Sequence, residues 1–194
     1  MLCDICNKRV SHYKNKGDWY PIDYYKCNNC HAQQRQMLMW NIYNELKPKL
    51  GTMLYLSPSK CLEDKWKPLA DEYISADHPP RESNIIAMAQ MDVDLTDTPF
   101  EDEKFDFIVL SHVIDQIKDE ESAIKELHRI VKQDGMIFLV VPMYWAEKTK
   151  ELEKEQVLSH WRRCGCDYPY RYTKLFNLST YKDVESLFVL TKKK

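Results

Sequence analysis

The chain has 194 residues and a formal net charge of −2, a size that fits one ordinary domain with a small appendage. Its hydrophobic content of 44% is enough for a core, and no apolar stretch is long enough to cross a membrane, so no membrane partner is expected. The first 50 residues carry eight basic and four acidic side chains, against 20 basic and 26 acidic in the remainder. Neither balance is extreme enough to require a nucleic-acid partner.

Two cysteine pairs of identical spacing mark the N-terminal part. Cys3 and Cys6 form one C-x-x-C turn, Cys27 and Cys30 form another, and 20 residues separate the two turns. Each turn can bring two thiolates to one ion, and two turns complete a tetrahedral shell around Zn²⁺. We therefore predict a structural zinc ribbon; the doubled motif disfavours a disulfide or a redox pair.

The start of the sequence has no basic-then-apolar leader. This predicts a cytoplasmic protein, in which thiols stay reduced. Aromatic residues lie between the cysteine pairs, at Trp19–Pro21 and Tyr24–Tyr25. They could stack bases in a nucleic-acid reader, but we favour a role in covering the metal and docking the ribbon on the main domain.

A helix is predicted over Ala32–Leu46, with one apolar face and an end at Pro48. After Pro48 the pattern of the sequence changes, because short apolar runs begin to alternate with helical segments. We therefore divide the chain into a zinc-ribbon module with its linking helix, residues 1–47, and a main domain, residues 48–194.

The main domain reads as an α/β fold. Alternating strands and helices imply a parallel, doubly wound sheet, and the chain after Pro142 leaves room for one terminal hairpin ending in Leu187–Leu190. The helices are expected over Lys60–Tyr73 and from an N-cap at Asp119 to a terminating glycine at Gly135. The predicted strands are Met53–Leu56, Tyr73–Asp77, a segment within Ile85–Val93, Phe105–Leu110 and Met136–Val141.

Polar residues follow successive strands of this sheet. Ligands of such sheets bind beyond the carboxyl ends of the strands. Acids after the second and third strands could accept hydrogen bonds from a ribose and an adenine amino group. The first turn contains no glycine, which suits a nucleoside without phosphates. The strand ends are Ser57-Pro58-Ser59, Asp77, Asp94 and Ser111-His112.

The run Asp94–Pro142 resembles class I S-adenosylmethionine-dependent methyltransferases of the type 11-like family. The pieces that carry the resemblance are Asp94, Pro99-Phe100, Phe105-Asp106, Ser111-His112-Val113, Glu126-Leu127-His128-Arg129 and Gly135. The rest of the chain is similar to a subgroup with an N-terminal four-cysteine zinc ribbon and a glycine-poor first motif. Those further matches are Arg35 after the second cysteine pair, then His160, Arg162, Gly165, Asp167 and Tyr168.

The resemblance implies a Rossmann-like methyltransferase sheet that binds S-adenosylmethionine. The first turn would hold the methionine part, Asp77 the ribose, and Asp94 with the Leu95 backbone the adenine. This chain has Ser59 where the subgroup has an acid, and Asp115 in place of the common glutamate after the fourth strand. The implied cofactor-binding residues are Leu56, Ser57, Pro58, Ser59, Asp77, Asp94, Leu95 and Ser111.

The expected activity is methyl transfer to a small molecule or a sugar. A hydroxyl acceptor would need a general base, for which His112, Asp115 and His160 are the candidates, with Tyr144 and Arg162 as substrate contacts. The alternatives are an RNA or protein methyltransferase that uses the zinc ribbon as a reader, and an inactive methyltransferase-like scaffold.

Overall fold

The computed structural model describes residues 1–13, 24–77, 89–145, 147–153, 160–182 and 186–193. Within these ranges the α-helices are α1 (Gln34–Leu46), α2 (Lys60–Trp66) and α3 (Glu120–Ile130). The strands are β1 (Val10–Tyr13), β2 (Tyr24–Cys27), β3 (Thr52–Leu56), β4 (Glu72–Asp77), β5 (Met91–Asp92), β6 (Phe105–Ser111), β7 (Val131–Val141), β8 (Met143–Tyr144), β9 (Lys150–Glu151), β10 (Arg162–Gly165), β11 (Phe176–Lys182) and β12 (Ser186–Lys192).

A seven-stranded sheet with the order β11-β12-β7-β6-β3-β4-β5 forms the centre of the protein. The five strands from β7 to β5 are parallel, whereas β12 runs antiparallel between β7 and β11. Along the chain, β4 and then β5 are added on one side of β3. The chain then crosses over, and β6 is added on the other side of β3. The predicted doubly wound α/β sheet and its terminal hairpin are both confirmed.

The inner strands are buried because helices cover both faces of the sheet. All seven residues of β6 are buried, as expected for a continuous apolar run in a parallel sheet. One face packs against α3, and the other packs against α1 and α2. On the second face, the Trp66 ring lies 5.6 Å from Tyr55, 5.7 Å from Tyr43 and 5.8 Å from Phe107.

The predicted end of α3 at Gly135 is wrong. The helix stops at Ile130, and Gly135 lies inside β7. A side-chain carbon at Gly135 would lie 2.7 Å from Val131 Cγ2 and 3.0 Å from the Phe105 carbonyl oxygen. Close contact with the neighbouring strand, at a register irregularity of β6 and β7, therefore explains the glycine.

The predicted helix over Lys60–Tyr73 is too long. It ends at Trp66, continues as a 3₁₀ turn over Lys67–Leu69, and β4 begins at Glu72. Pro68 has no N–H with which to continue an α-helix. The third predicted strand corresponds to β5, and the part of its predicted range at 85–88 lies outside the described residues.

The N-terminal segment packs against the main sheet. β1 and β2 form an antiparallel pair in which Val10 lies opposite Cys27. Cys3, Ile5, Val10 and Cys27 belong to the same hydrophobic cluster as residues of α1, α2 and β3. The domain boundary at residue 47 stays a prediction, and Trp19–Pro21 lie outside the described residues. Among the described residues, no helix is long and apolar enough to cross a membrane.

A buried carboxylate stabilises the end of the sheet at which the parallel strands begin. Asp106 on β6 accepts hydrogen bonds from Lys132 Nζ at 2.6 Å, Lys49 Nζ at 2.9 Å and the Thr52 N–H at 3.0 Å. Gly51, at φ 37°, approaches so closely that a side-chain carbon there would lie 2.3 Å from Asp106 Oδ2. Burial acts to raise the pKa of Asp106, but these donors outweigh it and lower the pKa to about 2.

We expect Asp106→Asn to lower the free energy of unfolding by about 2 kcal/mol at pH 7. Because the folded pKa lies below the unfolded value, ionised Asp106 stabilises the fold above about pH 4, and this contribution is lost as the pH falls toward about 2. Urea denaturation at several pH values between about 2 and 7 measures the difference between wild type and variant.

The matched control is Asp102→Asn, because the Asp102 side chain is 76% exposed in its ion pair with Arg129. Its removal should cost less than about 1 kcal/mol. Equal losses in the two variants, or a difference between wild type and Asp106→Asn that does not change with pH, would contradict this stabilising role of Asp106.

Candidate functional site

The carboxyl ends of β3, β4 and β6 share one level. Leu56 lies opposite both Ala76 and Leu110, so the residues that follow, Ser57, Asp77 and Ser111, lie side by side on neighbouring strands. Such strands are about 4.8 Å apart. The order of the strands reverses between β3 and β6, which is where ligands bind in doubly wound sheets. The structure therefore brings three of the predicted cofactor residues together.

Two non-glycine residues adopt left-handed backbone conformations at this edge. Ser57, after β3, has φ 54°, and His112, after β6, has φ 58°. The Ser57 N–H donates to the Ala76 carbonyl and the His112 N–H donates to the Val140 carbonyl, both at 2.9 Å. A left-handed conformation costs a non-glycine residue about 1–2 kcal/mol. Such strain is concentrated at functional sites. Here the two strained residues lie on either side of the point where the strand order reverses.

The first turn, Ser57-Pro58-Ser59, is held by the Tyr55 side chain on β3 and by the first backbone N–H groups of α2. Ser59 precedes α2, and its carbonyl accepts from the N–H groups of Leu62 at 3.0 Å and Glu63 at 2.9 Å. The Ser59 hydroxyl lies 2.8 Å from the Tyr55 hydroxyl. Tyr55 is fully buried, and burial raises its pKa to about 12. The tyrosine is therefore neutral and available as a hydrogen-bond donor.

The acid after β5 also shapes its own turn. Asp94 Oδ1 accepts from the Thr96 N–H at 2.8 Å and from the Thr96 hydroxyl at 2.7 Å. Leu95 is fully buried in the core. Asp77 ends β4, and its carbonyl accepts from the Val93 N–H at 2.8 Å. Asp77 therefore lies level with the first turn, while Asp94 lies at the beginning of the next loop.

An ion pair on α3 fixes that next loop. Glu126 Oε2 accepts from the N–H and the hydroxyl of Thr98, each at 3.0 Å. Arg129 donates to Glu126 at 2.7–2.8 Å and to the Phe100 carbonyl at 2.8 Å. The hydrogen bonds from Arg129 lower the pKa of Glu126 to about 2. The helix segment and the Pro99-Phe100 pair that carry the family resemblance thus contact each other.

A buried carboxylate and an imidazole meet beside the end of β6. Asp115 is completely buried, and its Oδ2 lies 2.6 Å from His160 Nδ1. In the part of the chain that the structure describes, Asp115 Oδ1 has no hydrogen-bond partner. Two of the three predicted base candidates are therefore in direct contact, while the third, His112, lies directly after β6, three residues before Asp115.

Arg162, predicted from the sequence as a substrate contact, makes structural contacts. It is 3% exposed. Its guanidinium donates to the carbonyls of Ile114 at 2.9 Å, Ile117 at 2.8 Å and Lys118 at 3.1 Å. The backbone N–H of the adjacent Trp161 donates to the backbone carbonyl of Asp115 at 3.0 Å. Residues 160–162 therefore fasten the loop that carries Asp115.

Tyr144, the other predicted substrate contact, lies on β8 beside β10. Gly165 is its partner in the pairing of these strands, and the Arg163 guanidinium lies 4.6 Å from the centre of the Tyr144 ring. Burial raises the pKa of Tyr144. Arg163 and Trp161 were not singled out from the sequence, since neither has a spacing that signals these contacts. Only their adjacency to Arg162 could have suggested them.

Two cavities of about 610 Å³ each lie away from the strand ends at which the cofactor is predicted. One lies at the start of α3, where buried Glu120 accepts from Arg171 at 2.5 Å and from the Tyr168 hydroxyl. The other lies at the amino end of β7, next to Gly135 and Lys192. Neither is lined by Asp115, His160 or any residue predicted to bind the cofactor.

The four predicted metal ligands converge. The sulfur atoms of Cys3, Cys6, Cys27 and Cys30 all lie within 4.8 Å of one another, and all four cysteines are free thiols. The distance is 3.7 Å from Cys3 to Cys30 and 3.4 Å from Cys6 to Cys27. Two sulfurs on one tetrahedral zinc ion are about 3.8 Å apart when each Zn–S bond is about 2.3 Å. The cluster therefore fits zinc.

The two cysteine turns share one backbone design. Asn7 follows the first pair at φ 56° and His31 follows the second at φ 59°. Each donates its N–H to the carbonyl of the first cysteine in its pair, at 2.8 Å for Cys3 and 3.2 Å for Cys27. Burial acts to raise the pKa of Cys27, but nearby backbone N–H groups outweigh it and lower the pKa to about 7.

Residues 68–139 match a family described as methyltransferase domain. No curated protein matches the sequence. Among solved structures, the chain is similar to the PH0226 protein of Pyrococcus horikoshii OT3, with a TM-score of 0.58 and 17% identity, covering 85% of this chain and 94% of that one.

Two further structures share the fold. One is the Burkholderia thailandensis 1,6-didemethyltoxoflavin-N1-methyltransferase with bound 1,6-didemethyltoxoflavin and S-adenosylhomocysteine, with a TM-score of 0.58, 9% identity, and coverage of 80% of this chain and 76% of that one. The other comes from the complex between the Haloferax volcanii Trm112 methyltransferase activator and a methyltransferase, with a TM-score of 0.56, 13% identity, and coverage of 82% and 94%. At these identities, the similarity establishes the fold alone.

We expect the wild-type protein to carry one zinc ion per chain and Cys27→Ser to lose it. Removing a buried thiolate should lower zinc affinity at least about tenfold, since even the loss of a group that only orients a ligand costs about 10–100-fold. Elemental analysis after dialysis against a weak chelator measures the ratio of zinc to protein. Cys166→Ser is the control, because Cys166 is exposed and lies outside the cluster. Zinc retained in full by Cys27→Ser, or absent from wild type, would contradict the assignment.

Proposed function

We propose, from the match of residues 68–139 to the methyltransferase domain and from the class I methyltransferase fold of the chain, that this protein transfers a methyl group from S-adenosylmethionine to a hydroxyl group of a small polar molecule. The observation that carries the proposal is the contact between buried Asp115 and His160, next to the point where the strand order reverses. Such a pair can take a proton from an acceptor.

The strand ends fit the cofactor. The backbone of Leu56–Ser59 would hold its methionine part, and Asp77, level with Ser57 on the neighbouring strand, would accept from the ribose hydroxyls. Asp94 and Leu95 would contact the adenine. Carboxylates after successive strands suit a nucleoside, and the cofactor has no phosphate that would call for a glycine-rich loop. When bound, the cofactor supplies an electrophilic methyl group on a sulfonium.

The main task of the protein is then to align the acceptor. Correct placement of two reacting groups supplies on the order of 7–11 kcal/mol of the barrier. Ser57 and His112 contribute to this alignment because their turns are fixed by hydrogen bonds to neighbouring strands. The loop that carries Asp115 is fixed in turn by Arg162, so the base and the cofactor turn are held on one rigid sheet edge.

His160 would act as the base. When its Nδ1–H is donated to Asp115, the imidazole takes the tautomer in which Nε2 accepts a proton from the acceptor hydroxyl. The charged imidazolium that forms is stabilised by the buried Asp115 carboxylate at 2.6 Å. A positioned base contributes about 10²–10⁴-fold to the rate. The second carboxylate oxygen, Oδ1, is a buried acceptor that a donor group of the substrate could satisfy.

Binding of S-adenosylhomocysteine, the demethylated product, tests the cofactor site. We expect Asp77→Asn to raise its Kd by roughly 5- to 150-fold, because a buried hydrogen bond to a charged acceptor is weakened. Isothermal calorimetry measures the change. Asp71→Asn is the matched control, since Asp71 is exposed and precedes β4 at the opposite edge of the sheet. Equal affinity in wild type and Asp77→Asn would mean that the ribose lies elsewhere.

The role of the base has a separate test. We expect His160→Gln and Asp115→Asn to lower methyl transfer by about 10²–10⁴-fold while leaving S-adenosylhomocysteine binding within about twofold. The assay follows S-adenosylhomocysteine release while metabolite, sugar and RNA pools are screened as acceptors. His128→Gln is the control, because His128 packs against Phe176 at 5.3 Å and not at the strand ends. Full activity of His160→Gln would exclude the proposed base.

A further inference from the structure

The first turn is formed by Ser57-Pro58-Ser59, although Ser57 has the φ of 54° that glycine adopts most easily. A non-glycine residue keeps such a conformation only when its surroundings impose it. The hydrogen bond of the Ser57 N–H to Ala76 fixes the beginning of the turn, and proline fixes the φ of the middle residue. At the end of the turn, the Ser59 carbonyl accepts from the N–H groups of Leu62 and Glu63, and the Ser59 side chain makes a further contact.

The hydroxyl of Tyr55 provides this further contact. Tyr55 lies two residues before Ser57 on β3, and its hydroxyl lies 2.8 Å from the Ser59 hydroxyl, two residues after Ser57. The Cys61 thiol lies 3.8 Å from the Ser59 hydroxyl oxygen. The hydrogen bond between Tyr55 and Ser59 therefore spans the whole turn and joins its two ends.

The ring of Tyr55 cannot move to follow a loosened turn. Tyr55 is completely buried, and its ring lies 5.6 Å from Trp66, which contacts both α1 and the central sheet. A buried tyrosine hydroxyl requires a hydrogen-bond partner, and Ser59 is the partner here. The packing of the core thus fixes the Tyr55 hydroxyl, and the hydrogen bond to this hydroxyl fixes the position of Ser59.

We infer that Tyr55 is a positioning residue of the cofactor site: through Ser59 it holds the glycine-free first turn in the conformation that binds the cofactor. The inference rests on the proposed function. It explains how Ser59 can stand where the subgroup has an acid, since the serine hydroxyl pairs with a neutral, buried phenol. Loss of this hydrogen bond would leave the turn ordered for a smaller fraction of the time, and the apparent Kd would rise in proportion.

The test is a double-mutant cycle read by calorimetry with S-adenosylhomocysteine. We expect Tyr55→Phe and Ser59→Ala each to raise the Kd about 2- to 12-fold, the range that follows from losing one neutral hydrogen bond. The double variant should bind about as well as either single variant, because both changes remove the same interaction. Ser59→Ala, at a half-buried position, keeps the test valid if Tyr55→Phe fails to fold.

Tyr73→Phe is the matched control. It removes a hydroxyl from another tyrosine that packs against the same hydrophobic cluster, at the opposite end of the neighbouring strand. Its Kd should equal that of wild type. A purely structural role for Tyr55 would lower the melting temperature without changing the Kd of the folded protein, and that result overturns the inference. Multiplicative effects of the two changes in the double variant would overturn it as well.

The outcomes separate this inference from the function on which it rests. If wild type binds S-adenosylhomocysteine and Tyr55→Phe binds it equally well, the cofactor site stands and the role of Tyr55 is refuted. If wild type shows no binding heat at millimolar ligand, both the proposed function and the role of Tyr55 fail.

Discussion

The parallel pairing of β3 with β6 is the constraint on which the rest of the structure depends. It places Leu56 opposite Leu110, so that Ser57 and Ser111 leave the sheet side by side where the strand order reverses. Both strands are buried on both faces. A slip of one residue would exchange the two faces of a strand and disrupt both hydrophobic clusters. The core therefore fixes how the ends of β3 and β6 lie relative to each other. The polar residues at this edge of the sheet do not have to set the strand register.

Among the described loops at this edge, three are held by a side chain from a helix or strand. Tyr55 holds the first turn, Glu126 on α3 holds the loop that follows β5, and Arg162 on β10 holds the loop that follows β6. All three side chains are at least largely withdrawn from water, so their hydrogen bonds are strong relative to those at the surface. Glu126 and Arg162, which carry part of the family resemblance, thus keep loops in place, whereas Asp115 and His160 form the proposed base pair.

The sequence was informative wherever a local pattern determines structure. Paired cysteines, alternating apolar runs and polar strand ends predicted the four-cysteine cluster, the doubly wound sheet and its edge, and the resemblance to class I methyltransferases is confirmed. It failed where contacts join distant segments. Gly135 looks like a helix end but lies in β7, in close contact with β6. The contact of Asp115 with His160 spans 45 residues, a separation that no periodicity encodes.

A crystal structure of the protein with S-adenosylhomocysteine would show whether the cofactor binds where the strand order reverses. We expect the ligand to lie across the ends of β3 and β4, with its amino-acid part against the backbone of Ser57 and its ribose within hydrogen-bond distance of Asp77. The His160 ring should face the position from which the methyl group has departed. Ligand density confined to the cavity beside α3, or side chains filling the edge between β3 and β6, would rule out this cofactor site.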